Sequence, residues 1–263
     1  MCSIQRFVGQ VVLQNTNNNK QKQQHMNKSI IALSVVALGV ASIAKAALPL
    51  DDISVSTTFG YESEYVFRGD KLDQQAFQPA IDVEYGNFYA GIWGSYGISN
   101  NRGGRETDFY AGYAFALDDQ ITLDFGATYY YYSNDVPYDF ELYAGAAWDV
   151  FLEPAGYIYF ETENQVWTFE LSGGYSIDVA DKTTLDFSGH AGYQYNYNRA
   201  QKEAPEVGRV ARNAWYAGIA ADLTYAFNDN ASFSIGPRLS SKKYDSISSQ
   251  ELLWWGAAFT AGF

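Results

Sequence analysis

Side chains along residues 53–68, ISVSTTFGYESEYVFR, alternate with a period of two. Ile53, Val55, Thr57, Phe59, Tyr61, Ser63, Tyr65 and Phe67 share one face, while Ser54, Ser56, Thr58, Gly60, Glu62, Glu64, Val66 and Arg68 share the other. Successive side chains leave a pleated strand on opposite sides, so this pattern predicts a strand with one apolar and one polar face. The run is about 16 residues long, beyond the ~3–10 usual for strands of soluble proteins. The rhythm returns at 121–132, 183–197 and 214–227, and less cleanly at 77–85, 88–97, 106–115, 138–148, 155–162, 166–177, 231–239 and 251–263. In FYAGIWG (88–94) aromatics occupy both faces, and the alternation alone does not fix its register.

The connections alternate in length. Short ones are Gly86-Asn87, 117–120, the stretch around 150–154, 178–182 and 228–231; longer ones are 69–76, 98–106, 133–137, 161–164, 198–212 and 240–250. Short turns at one end and long loops at the other are the habit of a transmembrane barrel. The chain stops in ELLWWGAAFTAGF, with Trp255, Phe259 and Phe263 on one face. A last strand that pairs with the first leaves no open edge, which hydrocarbon would penalise. The fold expected is all-β: an antiparallel up-and-down transmembrane barrel of about twelve strands over 47–263, since twelve segments carry the rhythm. A terminal aromatic also resembles the strand signal read by outer-membrane assembly machinery. Loop 198–212 is long enough to fold inward as a constriction.

What precedes this region changes where the protein is expected. Residues 1–25 are rich in Gln and Asn and cannot build a core, which suggests an upstream extension with Met26 as the start. Residues 26–46 then read as a secretory signal: Lys28, an apolar run from Ile30 to Ile43, and Ala44-Lys45-Ala46. The apolar run is shorter than the ~20 residues of a membrane helix. The chain is 17% aromatic and carries a formal charge of −13. Its leader holds Arg6, Lys20, Lys22, Lys28 and Lys45 and no acidic residue, so a mature chain would be more acidic still. That balance argues against nucleic acid as a partner. The only cysteine, Cys2, lies in the leader, which excludes disulfide and thiol chemistry from the mature chain. An exported aromatic barrel belongs in the outer membrane of a Gram-negative bacterium.

SEYVFRG (63–69), FYAGIWGS (88–95) and ETDFYAGY (106–113) resemble the TorF-type porin family of Gram-negative outer membranes. Ser63, Tyr65, Arg68 and Gly69 match one of its elements; Tyr89, Gly91 and Trp93 match another. The resemblance spans about residues 54–115. It implies a porin without naming a solute.

Charge placement sharpens the expectation. Glu62, Glu64, Asp82, Glu84, Asp108, Asp124, Asp139, Glu141, Glu170, Asp186 and Asp222 recur opposite the lipid stripe. A carboxylate in hydrocarbon is costly, so this face is expected to line the lumen, where the acids either pair with Arg68 and Arg238 or attract cations. Arg68, Arg102, Arg105, Arg199, Arg209, Arg212 and Arg238 are the basic candidates for lumen or mouth, and Lys71, Lys202, Lys242 and Lys243 sit in or beside the same outer loops. Such cations suit lipopolysaccharide phosphates or an anion-attracting vestibule.

Asp186, Ser188 and His190 share a face, yet same-face neighbours on a strand lie about 6.6 Å apart, too far for a working triad. No Gly-x-Ser-x-Gly elbow, EF-hand loop or phosphate-cradling glycine loop occurs. No cofactor or metal is expected. The function expected is passive passage of small hydrophilic solutes or ions, with weak cation preference. A structural or adhesive barrel is the alternative, and a barrel enzyme a remoter one. A homo-oligomer is compatible with the sequence, which carries no subunit-contact signature.

Overall fold

The computed structural model describes residues 53–99, 105–133, 138–196, 213–244 and 249–263. Its strands are β1 (Ile53–Glu62), β2 (Tyr65–Phe67), β3 (Asp70–Asp73), β4 (Ala76–Tyr85), β5 (Phe88–Gly97), β6 (Arg105–Ala116) and β7 (Ile121–Tyr132). They continue with β8 (Asp139–Trp148), β9 (Ala155–Glu161), β10 (Val166–Ala180), β11 (Thr183–Asn196), β12 (Ala214–Asn228), β13 (Ala231–Tyr244) and β14 (Gln250–Gly262). Except for β2 and β3, these close into one antiparallel barrel in which each strand pairs with its chain neighbour and β14 returns to β1. The expected twelve-strand barrel is thus present.

Closure runs from Glu62↔Gly256 to Ser56↔Gly262. It continues one residue further, because Phe263 N–H donates to the Val55 carbonyl at 2.8 Å. Turn chemistry sets the short end. Gly86 has φ of 61° in the two-residue connection to Asn87, a glycine-favouring position of a tight hairpin. The Asp118 carboxylate accepts the Gln120 and Ile121 N–H groups at 2.8 and 2.7 Å and so closes the next turn.

The alternation sorts the two faces. Phe59, Phe88, Ile92, Phe109, Phe125, Leu142, Ile158, Phe169, Ile219, Leu223, Leu253 and Trp255 are exposed on the outer surface, whereas polar and charged side chains are buried inside. FYAGIWG takes the register with Phe88, Ala90 and Ile92 outward and Tyr89, Gly91 and Trp93 inward. A soluble protein does not expose such a belt; an acyl environment covers it without cost. Ile219 lies near the middle of β12, 61% exposed. Ile219→Arg is therefore expected to lose about 2–4 kcal/mol in phospholipid vesicles, measured by urea unfolding.

The first segment departs from expectation. Its strand ends at Glu62, and 65–73 form a separate hairpin, β2–β3. Arg68 and Gly69 between them both have positive φ, 45° and 78°. Two such residues in sequence make a tight reversal, so the alternation that looks continuous to Arg68 folds back on itself. At the other extreme β13 runs to Tyr244, past the expected end at 239. The leader at 1–46 lies outside the described residues, as does loop 198–212.

Candidate functional site

The inner wall is built from a repeated local unit. Tyr89-Ala90-Gly91, Tyr110-Ala111-Gly112, Tyr143-Ala144-Gly145 and Tyr216-Ala217-Gly218 each place a tyrosine and a glycine two apart on the inward face, and His190-Ala191-Gly192 is a variant. Antiparallel pairing then sets ring against glycine: Tyr89 opposite Gly112 and Tyr110 opposite Gly91. Tyr143 faces Gly126, Tyr157 faces Gly145, and Tyr216 and His190 face Gly192 and Gly218. A Cβ on any of these glycines would strike the opposing ring. The rings therefore lie along the wall, over the gap that a missing side chain leaves. The triplet stands in the sequence, but the period-two reading singled out neither it nor its cross-strand partner.

Lying flat delivers the hydroxyls to carboxylates. Tyr89 donates to Asp124 at 2.8 Å and meets the Tyr143 hydroxyl at 2.5 Å; Tyr157 donates to the other Asp124 oxygen at 3.0 Å. Tyr110 donates to Asp82, Tyr130 to Glu141 at 2.8 Å, Tyr216 to Glu170 at 2.7 Å, and Tyr65 to Glu106 at 2.8 Å. These buried acids hold their positions because each has a directed donor. The wall from β4 to β9 is filled by this tyrosine–carboxylate layer, with Trp93 packed into it.

The β2–β3 hairpin enters the barrel at the long-loop end and touches opposite walls. Its Arg68 forms a two-pronged pair with Glu141 of β8, at 2.7 and 3.1 Å, both side chains 3% exposed. The guanidinium also lies 4.6 Å from the Tyr159 and Phe67 ring centres. Across the lumen, Asp70 accepts Lys242 Nζ of β13 at 2.5 Å and the Tyr244 hydroxyl. Gly69 packs so close to Tyr216 and Lys242 that a Cβ there would stand 3.2 Å from the Tyr216 Cβ. Glycine is needed here twice over, for its positive φ and for this approach.

The sequence-predicted residues distribute as follows. Glu62 receives Trp254 Nε1 at 2.9 Å and lies 3.1 Å from Arg238 Nε, while Arg238 also pairs with Asp222 at 3.0 Å. Asp139 is buried at the outer end of β8, Asp108 lies within the β6 wall, and Glu84 shares the inward face of Asp82. Glu64 sits in the β1–β2 connection and pairs with Lys71 at 2.6 Å, so it is part of the hairpin's base and not of the wall. Arg105 projects from the outward face of β6, the side of Phe109. Lys242, expected in or beside an outer loop, is buried inside near the end of β13, where Asp70 and Gln194 hold its ammonium. Trp255, Phe259 and Phe263 are exposed on the outer face. Arg102, Arg199, Arg209 and Arg212 lie outside the described residues.

A cavity of about 320 Å³ is lined mostly by β10–β14, with Ser172, Ser176, Asp186, His190, Asp222 and Arg238 among its lining. Here Asp186 accepts the hydroxyls of Thr184 and Thr224 at 3.1 and 2.6 Å, so threonines engage the carboxylate a triad would need. No group of three His, Cys, Asp or Glu side chains suited to a metal occurs among the described residues.

Residues 46–152 match a family described as a bacterial protein of unknown function (Gcw_chp). No curated protein matches the sequence. Among solved structures, the KdgM porin is similar over 80% of this chain and 99% of its own, at 9% identity and a TM-score of 0.50. The COG4313 outer membrane channel from Pseudomonas putida F1 shares 10% identity over 82% of this chain and 97% of its own, with a TM-score of 0.48. At 9% identity the likeness to the KdgM porin is one of fold: a barrel of the kind found in outer membranes.

Proposed function

We propose that this protein is a narrow pore of the Gram-negative outer membrane, constricted by its own β2–β3 hairpin, that passes small hydrophilic solutes and ions with a preference for cations. The observation that carries the reading is the charge of the inner wall beside an apolar outer wall. Apart from Glu64, the acids predicted for the lumen from Glu62 to Asp222 face inward, and the described inward cations, Arg68, Arg238 and Lys242, are each already paired with an acid. A lumen with acids in excess lowers the energy of a passing cation and raises that of an anion. The resemblance to TorF-type porins and the fold shared with a porin point the same way. Arg105 at the outward rim suits contact with lipopolysaccharide phosphates.

Planar-bilayer recordings under a KCl gradient test this directly. The expected result is discrete conductance steps with a reversal potential on the potassium side; a chloride-side reversal would refute the cation preference. A second reading has one observation behind it: packed tyrosines fill the β4–β9 side of the interior. A barrel filled throughout would be a structural surface protein, and purified protein that never produced a conductance step would favour it.

A further inference from the structure

We propose that Asp108 is the centre of a binding site for a primary ammonium group, which makes amine-bearing solutes the preferred cargo; this rests on reading the lumen as a solute path. Asp108 is completely buried, and neither of its carboxylate oxygens has a hydrogen-bond partner. It differs in this from Asp82, Asp124, Glu106, Glu141 and Glu170, each of which takes a tyrosine hydroxyl. A buried carboxylate with both oxygens bare is costly unless something brings it donors.

What surrounds it selects the donor. Strand register sets Trp93 directly opposite Asp108 on one side and Tyr130 on the other. The Tyr65 ring, from the hairpin, lies 5.7 Å from that of Trp93 and completes an aromatic enclosure. Glu106 stands two residues away on the same face. Arg68 of the hairpin spends both terminal nitrogens on Glu141. The result is a carboxylate with Glu106 beside it and aromatic side chains on its flanks, a combination that attracts an alkylammonium through charge and N–H donation. A bare metal ion is a poorer match, since the described acids are not grouped closely enough to enclose one. The two unpartnered oxygens favour a head that carries N–H groups over a fully methylated one. Entry requires Tyr65 to swing aside, because it leans on both Trp93 and Glu106.

Calorimetric titration of the whole protein, folded in detergent, with propylammonium chloride tests the site, with tetramethylammonium chloride and magnesium chloride as comparisons. Propylammonium is expected to bind at least tenfold more tightly than either. D108N is expected to weaken it tenfold or more, while D82N changes it less than twofold. W93F, which keeps a ring but removes the indole, is expected to weaken it several-fold and guards against a D108N effect due to misfolding; circular dichroism verifies the barrel in each variant. Equal binding of tetramethylammonium, preference for magnesium, no binding, or an unaltered D108N would each overturn the proposal. Bilayer conductance in KCl is measured on the same preparations. Conductance without ammonium binding defeats the site and leaves the pore; binding without conductance defeats the pore and leaves the site.

Discussion

Replacing Arg68 by alanine is expected to raise single-channel conductance several-fold and to lower the unfolding midpoint of the barrel. Both effects have one cause. The Arg68 guanidinium fixes the hairpin to Glu141 through two parallel bonds in a setting closed to water. Removing one partner of such a pair leaves the other charge buried alone, a loss of about 3–5 kcal/mol where it has been measured. The hairpin then keeps its attachment through Asp70, whose side chain is 36% exposed, and the Tyr65 hydroxyl on Glu106. A strand pair freed from Glu141 is expected to leave the mouth wider on the β8 side. Arg68→Lys should fall between wild type and alanine, because an ammonium cannot reproduce the forked geometry. Excision of residues 64–73 with a short glycine bridge should match or exceed the alanine variant in conductance. An Arg68→Ala barrel that conducted as wild type would show that the hairpin is not the constriction.

The second large effect is expected at the tyrosine–glycine contacts. In Gly112→Ala the added methyl meets the Tyr89 ring, which cannot retreat without giving up its bonds to Asp124 and Tyr143. Overpacking of this kind costs about 1–3 kcal/mol. Tyr89→Ala alone should also destabilise, by removing a buried ring and leaving Asp124 short of a donor. Combined, the two should cost less than the sum of the single changes, since the methyl then occupies space the ring has vacated. Urea unfolding of all four proteins in vesicles gives the coupling directly. Strict additivity would mean that the ring does not rest on Gly112.

The sequence carried the barrel because its alternation is a local property: each strand declares its two faces without reference to its neighbours. Strand count, closure of β14 onto β1, and the inward acids all follow from that. Other features depended on residues far apart. The Arg68 reversal looks like more strand, because arginine is not a residue that announces positive φ. Lys242 reads as a loop cation, since its partner Asp70 is 172 residues away. The isolation of Asp108 is likewise a statement about what its neighbours on β5 and β7 fail to supply, and no single-strand pattern contains it.

Ring and glycine on adjacent strands also bear on how such a protein diverges. Neither member of a pair can drift freely, because a bulkier residue on one strand is tolerated only after the facing ring has shrunk. Lineages of this barrel should therefore exchange tyrosine and glycine in reciprocal couples across a hairpin, and aligned relatives should display that covariation most strongly at positions 89 with 112 and 91 with 110.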